Sequence, residues 1–157
     1  MLETLIIIFI IICDQLTKYF CVSYLKDAAA IQAFPGFLSF HYHENRGAAW
    51  GILADQRWVF MVVSSIAIVA IVAYLFLSRK KKDPLLFRIS LCFFAGGGIG
   101  NMIDRTVMGY VVDFLKFEFI DFPIFNVADS FITVGACLMI LNLILDFVKD
   151  LRKKKNG

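Results

Sequence analysis

The chain has 157 residues, 60% of them apolar and 18% charged, with a formal net charge of +3. That length suits one domain, but a water-soluble domain of about 150 residues has too little polar surface to cover so large an apolar share. An ordinary soluble domain is excluded. The basic residues abut long apolar runs, which argues for short cytoplasmic loops and against nucleic-acid binding.

The first apolar run, about 2–24, lacks a basic start, carries Asp14 and Lys18 late, and has no small-x-small cleavage pattern. It is predicted to be a retained span, not a signal peptide. An ionisable side chain costs about 2.5–3.5 kcal/mol at the centre of a membrane helix. Asp14 and Lys18 are four residues apart, share a helical face and are expected to pair. The four cysteines, Cys13, Cys21, Cys92 and Cys137, lie in or beside apolar runs without C-x-x-C spacing. They read as small buried hydrophobes.

The segment 25–57 is aromatic and turn-rich. Pro35-Gly36 marks a turn, and Leu38-Ser39-Phe40-His41-Tyr42-His43 alternates with the period of a half-buried strand. Phe34, Phe37, Phe40, Tyr42, Trp50 and Trp58 suit the lipid headgroup zone. A small sheet lying on the membrane is expected. His41 and His43 fall on one strand face beside Glu44, without the third ligand that a metal site needs.

A second span is expected at about 58–77, an uncharged stretch long enough to cross roughly 30 Å of hydrocarbon. Ten of the sixteen Lys and Arg then fall in two clusters: Arg79, Lys80, Lys81, Lys82 and Arg88, and Lys149, Arg152, Lys153, Lys154 and Lys155. Placing both inside makes the 78–85 loop and both termini cytoplasmic. The segments 25–57 and 104–126 are then outside.

The third span, about 85–103, contains Gly96-Gly97-Gly98-Ile99-Gly100. Without a preceding strand or a P-loop lysine, these glycines serve close helix packing, not phosphate binding. Asn101, Asp104 and Arg105 follow at i, i+3 and i+4, on one helical face. Arg105 is expected to hold Asp104 or a substrate carbonyl. Asp113, between Val112 and Phe114, sits in an extended apolar stretch expected to raise its pKa. Asn126 is a good N-cap for the fourth span, about 127–148. It puts Asp129 in the first turn, where the helix dipole favours negative charge. Two carboxylates thus approach the outer face in unlike surroundings, as an acid/base pair requires.

Five blocks carry a resemblance. Asp14-Gln15-Leu16-Thr17-Lys18, the segment from Glu44 through Asn45, Arg46 and Gly47 to Gly51, Gly100-Asn101-Met102-Ile103-Asp104-Arg105, Val111-Val112-Asp113-Phe114 and Phe122-Pro123-Ile124-Phe125-Asn126-Val127-Ala128-Asp129-Ser130 resemble, in order, the blocks of bacterial lipoprotein signal peptidase, the type II signal peptidase. The resemblance covers nearly the whole chain.

It implies one domain over 1–157, a membrane all-α bundle of four transmembrane helices with a small extracytoplasmic β-sheet. The implied activity is aspartic endopeptidase, cutting diacylglyceryl-modified prolipoproteins just before the lipidated cysteine, with membrane lipids as surroundings and no cofactor or metal. Asp113 and Asp129 match the catalytic dyad. Asn45, Asn101, Arg105 and Asn126 match substrate-binding positions, while Asp14, Lys18, Gly47 and Asp104 match positions that shape the site. A monomer in the bacterial cytoplasmic membrane is implied, with the site near the outer leaflet.

Other classes remain open on the residues alone. A small transporter or channel would use Asp14, Lys18, Asp104 and Arg105 as a polar pathway, but the inner halves of the second and third spans are apolar. A Ser–Lys peptidase would pair Ser130 with Lys18. A lipoprotein-binding module would bind substrate without cleaving it.

Overall fold

The computed structural model describes residues 1–47, 57–79 and 81–156, without the side chains at 57, 60, 155 and 156. In chain order the elements are α1 (Leu2–Leu25), β1 (Ile31–Phe34), β2 (Leu38–Asn45), α2 (Arg57–Leu77), α3 (Leu85–Val107), β3 (Val111–Phe117) and α4 (Val127–Asn156). Among the described residues α1, α3 and α4 are long and apolar enough to cross a membrane, and α2 adds a shorter apolar stretch, Met61–Leu77.

The burial pattern of α1 is inside out. Ile10, Asp14, Lys18, Cys21 and Leu25 form its buried stripe, while Leu5, Phe9, Ile12, Leu16 and Phe20 are all at least half exposed. In water each exposed side chain would forgo about 1.5–3 kcal/mol of burial. In hydrocarbon they lose nothing, and the polar residues turn inward because lipid cannot solvate them. Cys21 and Cys92 are buried as expected, but Cys13 is only half-buried and Cys137 is exposed. Cys137 lies on a lipid-compatible face of α4, where a thiol needs no cover.

Helix α3 is central and packs against α1, α2 and α4. Its glycines permit this closeness. A Cβ at Gly97 would lie 2.5 Å from the Ala128 carbonyl oxygen, and one at Gly96 would lie 2.9 Å from Ile10 Cβ. Absent side chains let α3 meet the backbone of α4 at Gly97 and a side chain of α1 at Gly96.

The strands form a three-stranded antiparallel sheet in the order β1-β2-β3. Phe34-Pro35-Gly36-Phe37 is the turn between β1 and β2: Gly36 has φ of +72° and the Phe37 N–H donates to the Phe34 carbonyl at 3.0 Å. Proline at the first central position and a positive-φ glycine at the second suit a type II turn. The strand expected at 38–43 runs to Asn45, which pairs with Val111, and β1 is an additional edge strand. The expected aromatic position Trp50 lies outside the described residues. Helices α3 and α4 continue beyond their expected apolar ends. Asp104, just past the expected end of α3, does not break the helix because its partners Lys18 and Gln15 are inside the fold.

Candidate active site

The sheet and the outer ends of α1, α3 and α4 converge on one polar cluster. Asn126 caps α4: its side-chain oxygen accepts from the Asp129 N–H at 2.9 Å, and Asp129 Oδ2 accepts from the Asn126 N–H at 3.2 Å. This reciprocal cap is a capping box built from Asn and Asp, and it holds the Asp129 carboxylate over the first turn. Asn101 Nδ2 donates to Asp129 Oδ1 at 2.8 Å.

Asp113 reaches the same place from β3, whose residues Val111 to Phe114 are all buried. Asn126 Nδ2 donates to Asp113 Oδ1 at 2.7 Å, and Asn45 Nδ2 on β2 donates to Asp113 Oδ2 at 2.8 Å. The Asn45 amide is itself oriented by the Gly47 N–H, 3.0 Å from its oxygen. Asp113 is 1% exposed. Burial and then the charge of Asp129 push its carboxyl up to about 7, against the opposing hydrogen bonds from Asn45 and Asn126.

Beneath the two carboxylates lies a buried ionic layer. Lys18 Nζ is 2.8 Å from Asp14 Oδ2, 2.9 Å from Asp104 Oδ2 and 2.9 Å from Asn101 Oδ1. The expected Asp14–Lys18 pair is present, extended to Asp104 on α3. Here one expectation is corrected: Asp104 is held by Lys18 and Gln15, not by Arg105. Among the described residues the Arg105 side chain makes no hydrogen bond or ion pair, although its guanidinium lies within the field of Asp129 and Asp113. Lys18 reaches Asp104 from a neighbouring helix in a dry setting, so the i+1 arginine is left turned toward the site.

Nine of the ten site residues singled out from sequence are therefore joined in one hydrogen-bonded network, and Arg105 stands beside it. Gln15 was missed. Its Nε2 donates to Asp104 Oδ1 at 3.0 Å and to the Gly100 carbonyl at 3.2 Å. The available signal was its place three residues before Lys18, a helical neighbour of the buried cation.

Residues 6–145 match the family model described as signal peptidase (SPase) II. The chain belongs to the signal peptidase II family. It is a membrane peptidase. The lipoprotein signal peptidase of Bacillus velezensis is 43% identical over 148 residues, covering 93% of this chain and 95% of that protein. That of Brevibacillus brevis is 42% identical, covering 90% and 93%. A solved bacterial membrane enzyme superposes with a TM-score of 0.83 at 37% identity, over 92% of this chain and 88% of that one. A second superposes at 0.78 with the same identity. The signal peptidase II family takes the place of the transporter and binding-module alternatives.

Proposed function

We propose that this peptidase is of the aspartic type and removes the signal peptide from diacylglyceryl-modified prolipoproteins, cutting just before the lipidated cysteine. The observation that carries the reading is the double grip of Asn126. Its side-chain amide donates to Asp113 and its backbone N–H to Asp129, so one residue ties both carboxylates to a shared space. The names of the relatives, lipoprotein signal peptidases, support the substrate class.

In this mechanism Asp129, at the helix N-terminus, takes a proton from water as the oxygen attacks the scissile carbonyl carbon. Asp113, with its raised value, holds the proton that passes to the carbonyl oxygen. Collapse of the tetrahedral centre breaks the C–N bond: the leaving nitrogen takes the proton held by Asp129, and a hydroxyl of the centre returns its proton to Asp113. Such chemistry requires no acyl-enzyme. The amides of Asn45, Asn101 and Asn126 orient the carboxylates. Arg105, with its guanidinium uncommitted among the described residues, is the group suited to hold a substrate carbonyl.

The chain acts as a single domain and a monomer, crossing the bacterial cytoplasmic membrane four times with α2 as the fourth span. Its termini and basic clusters are cytoplasmic, and the dyad lies near the outer leaflet. The lipid tails of the substrate then lie along apolar helix faces and fix the depth of the scissile bond, which lowers the entropic part of the barrier.

The test uses purified chain with a diacylglyceryl-modified prolipoprotein and its unmodified precursor, products identified by mass. Cleavage of the modified form alone, leaving an N-terminal lipidated cysteine, is expected. Equal cleavage of both forms, or a cut elsewhere, would overturn the substrate assignment.

A further inference from the structure

Asp14 and Asp104 make the same contact at two places. Asp14 Oδ1 accepts from the Ala128 N–H at 2.9 Å, one residue before Asp129. Asp104 Oδ2 accepts from the Val112 N–H at 3.1 Å, one residue before Asp113. Lys18 then joins the two carboxylates, at 2.8 and 2.9 Å. Gln15 Nε2 also touches both, 3.0 Å from Asp104 Oδ1 and 3.3 Å from Asp14 Oδ2.

Asp14 and Asp104 are 0% and 1% exposed, and Lys18 is 3% exposed. A buried ion cluster contributes little net stability, because desolvation consumes most of the Coulombic gain. What it supplies here is direction. Ala128 N–H is one of the orphan donors in the first turn of α4, and Asp14 fixes it to α1. Val112 N–H is fixed to α3 in the same way. Space is arranged for this: a Cβ at Gly100 would lie 2.5 Å from Asp14 Oδ2.

We propose that Asp14, Lys18 and Asp104 form a backbone clamp that sets the separation of Asp113 and Asp129, with Asp14 and Asp104 as positioning residues acting through the N–H groups of Ala128 and Val112. The inference rests on the dyad reading above. A shift of about 1 Å in a reacting group costs on the order of 100-fold in rate, so the clamp acts on turnover more than on substrate affinity.

The full chain, reconstituted in lipid, is assayed for kcat and KM separately, with thermal unfolding measured on each variant. Asp14→Ala and Asp104→Ala are expected to lose about 100-fold in kcat with KM changed less than about threefold. Asp14→Asn and Asp104→Asn keep an oxygen for the backbone N–H and are expected to recover at least about tenfold of that loss. A folded Ala variant with wild-type kcat, or one that raises KM alone, would overturn the clamp. If the Ala variants do not fold, the Asn pair decides: folded and within about tenfold of wild-type kcat supports the clamp, and a folded Asn variant down by about 100-fold refutes it. Asp113→Asn runs alongside. Wild-type cleavage by that variant would sink the dyad itself, whereas its inactivity beside fully active clamp variants would sink the clamp alone.

Discussion

Asn126 and Asp129 cap each other across the first turn of α4, at 2.9 and 3.2 Å, and the same Asn126 side chain reaches Asp113 at 2.7 Å. One residue therefore ends a helix and binds both acids. Asn126→Ala removes the cap, at a cost of about 1–2 kcal/mol, and leaves Asp113 Oδ1 without that donor. Cleavage is expected to fall by at least about 100-fold while most of the protein stays folded. Initial rates beside thermal unfolding check this. An Asn126→Ala enzyme that is less stable but equally fast per folded molecule would confine Asn126 to the cap.

The raised value of Asp113 predicts a pH dependence of stability with a definite sign. In the folded protein the carboxyl keeps its proton until about 7, whereas its ordinary value is 3.8. Between these values the folded state binds more protons than the unfolded one, so stability falls as pH rises through the interval and levels off above it. Asp113→Asn removes the titrating group. Unfolding followed from pH 4 to 8 is expected to show a shallower decline for the variant, which becomes the more stable protein at pH 8. Parallel curves would contradict the burial of a titrating Asp113.

Much of the fold was legible because lipid imposes simple demands. Long apolar runs gave the four helices, three of them, among the described residues, long and apolar enough to cross a membrane, and the Asn126 cap rule placed Asp129 in its turn. The alternation from Leu38 onward gave β2, but β1 is only four residues long, and most of it is exposed. Long-range partners were not legible. The ion pair of Lys18 with Asp104 joins residues 86 positions apart, and no helical spacing within α1 or α3 encodes it. Arg105, adjacent in sequence to Asp104, was the locally obvious partner and proved not to be one. Val112 and Ala128 were invisible as site residues because they contribute backbone N–H groups, which every sequence has.

At the opposite end of the bundle Arg88 gathers three elements. It donates to Glu3 at 2.9 Å, to Asp83 at 3.1 Å, to the Ser78 hydroxyl at 3.1 Å and to the Leu75 carbonyl at 3.3 Å. Arg88→Leu strands two partly exposed carboxylates and is expected to cost about 1–2 kcal/mol, and Arg88→Lys restores only part because an ammonium lacks the planar fork. Turnover per folded molecule is expected to be unchanged. A loss of turnover at equal stability would show that this end of the bundle is coupled to the site.

Ser130 gives a test between reaction classes. Its hydroxyl donates to the Asn126 carbonyl at 3.0 Å, while Lys18 is engaged by Asp14, Asp104 and Asn101. Ser130→Ala is expected to retain activity within about threefold, because the hydroxyl only reinforces a helix end. A loss of several hundredfold in steady-state cleavage would revive a serine nucleophile.

The proposed mechanism centres on a single proton shared by Asp113 and Asp129 across a water molecule. Single-turnover cleavage of a diacylglyceryl-modified prolipoprotein by Asp113→Asn, Asp129→Asn and the double variant tests it most directly. Each single variant is predicted to lose at least about 1,000-fold, and the double variant to be no slower than the slower single, because the two act as a unit. Cleavage by either single variant at close to the wild-type rate, or a double variant whose loss is the product of the two, would contradict the shared-proton account.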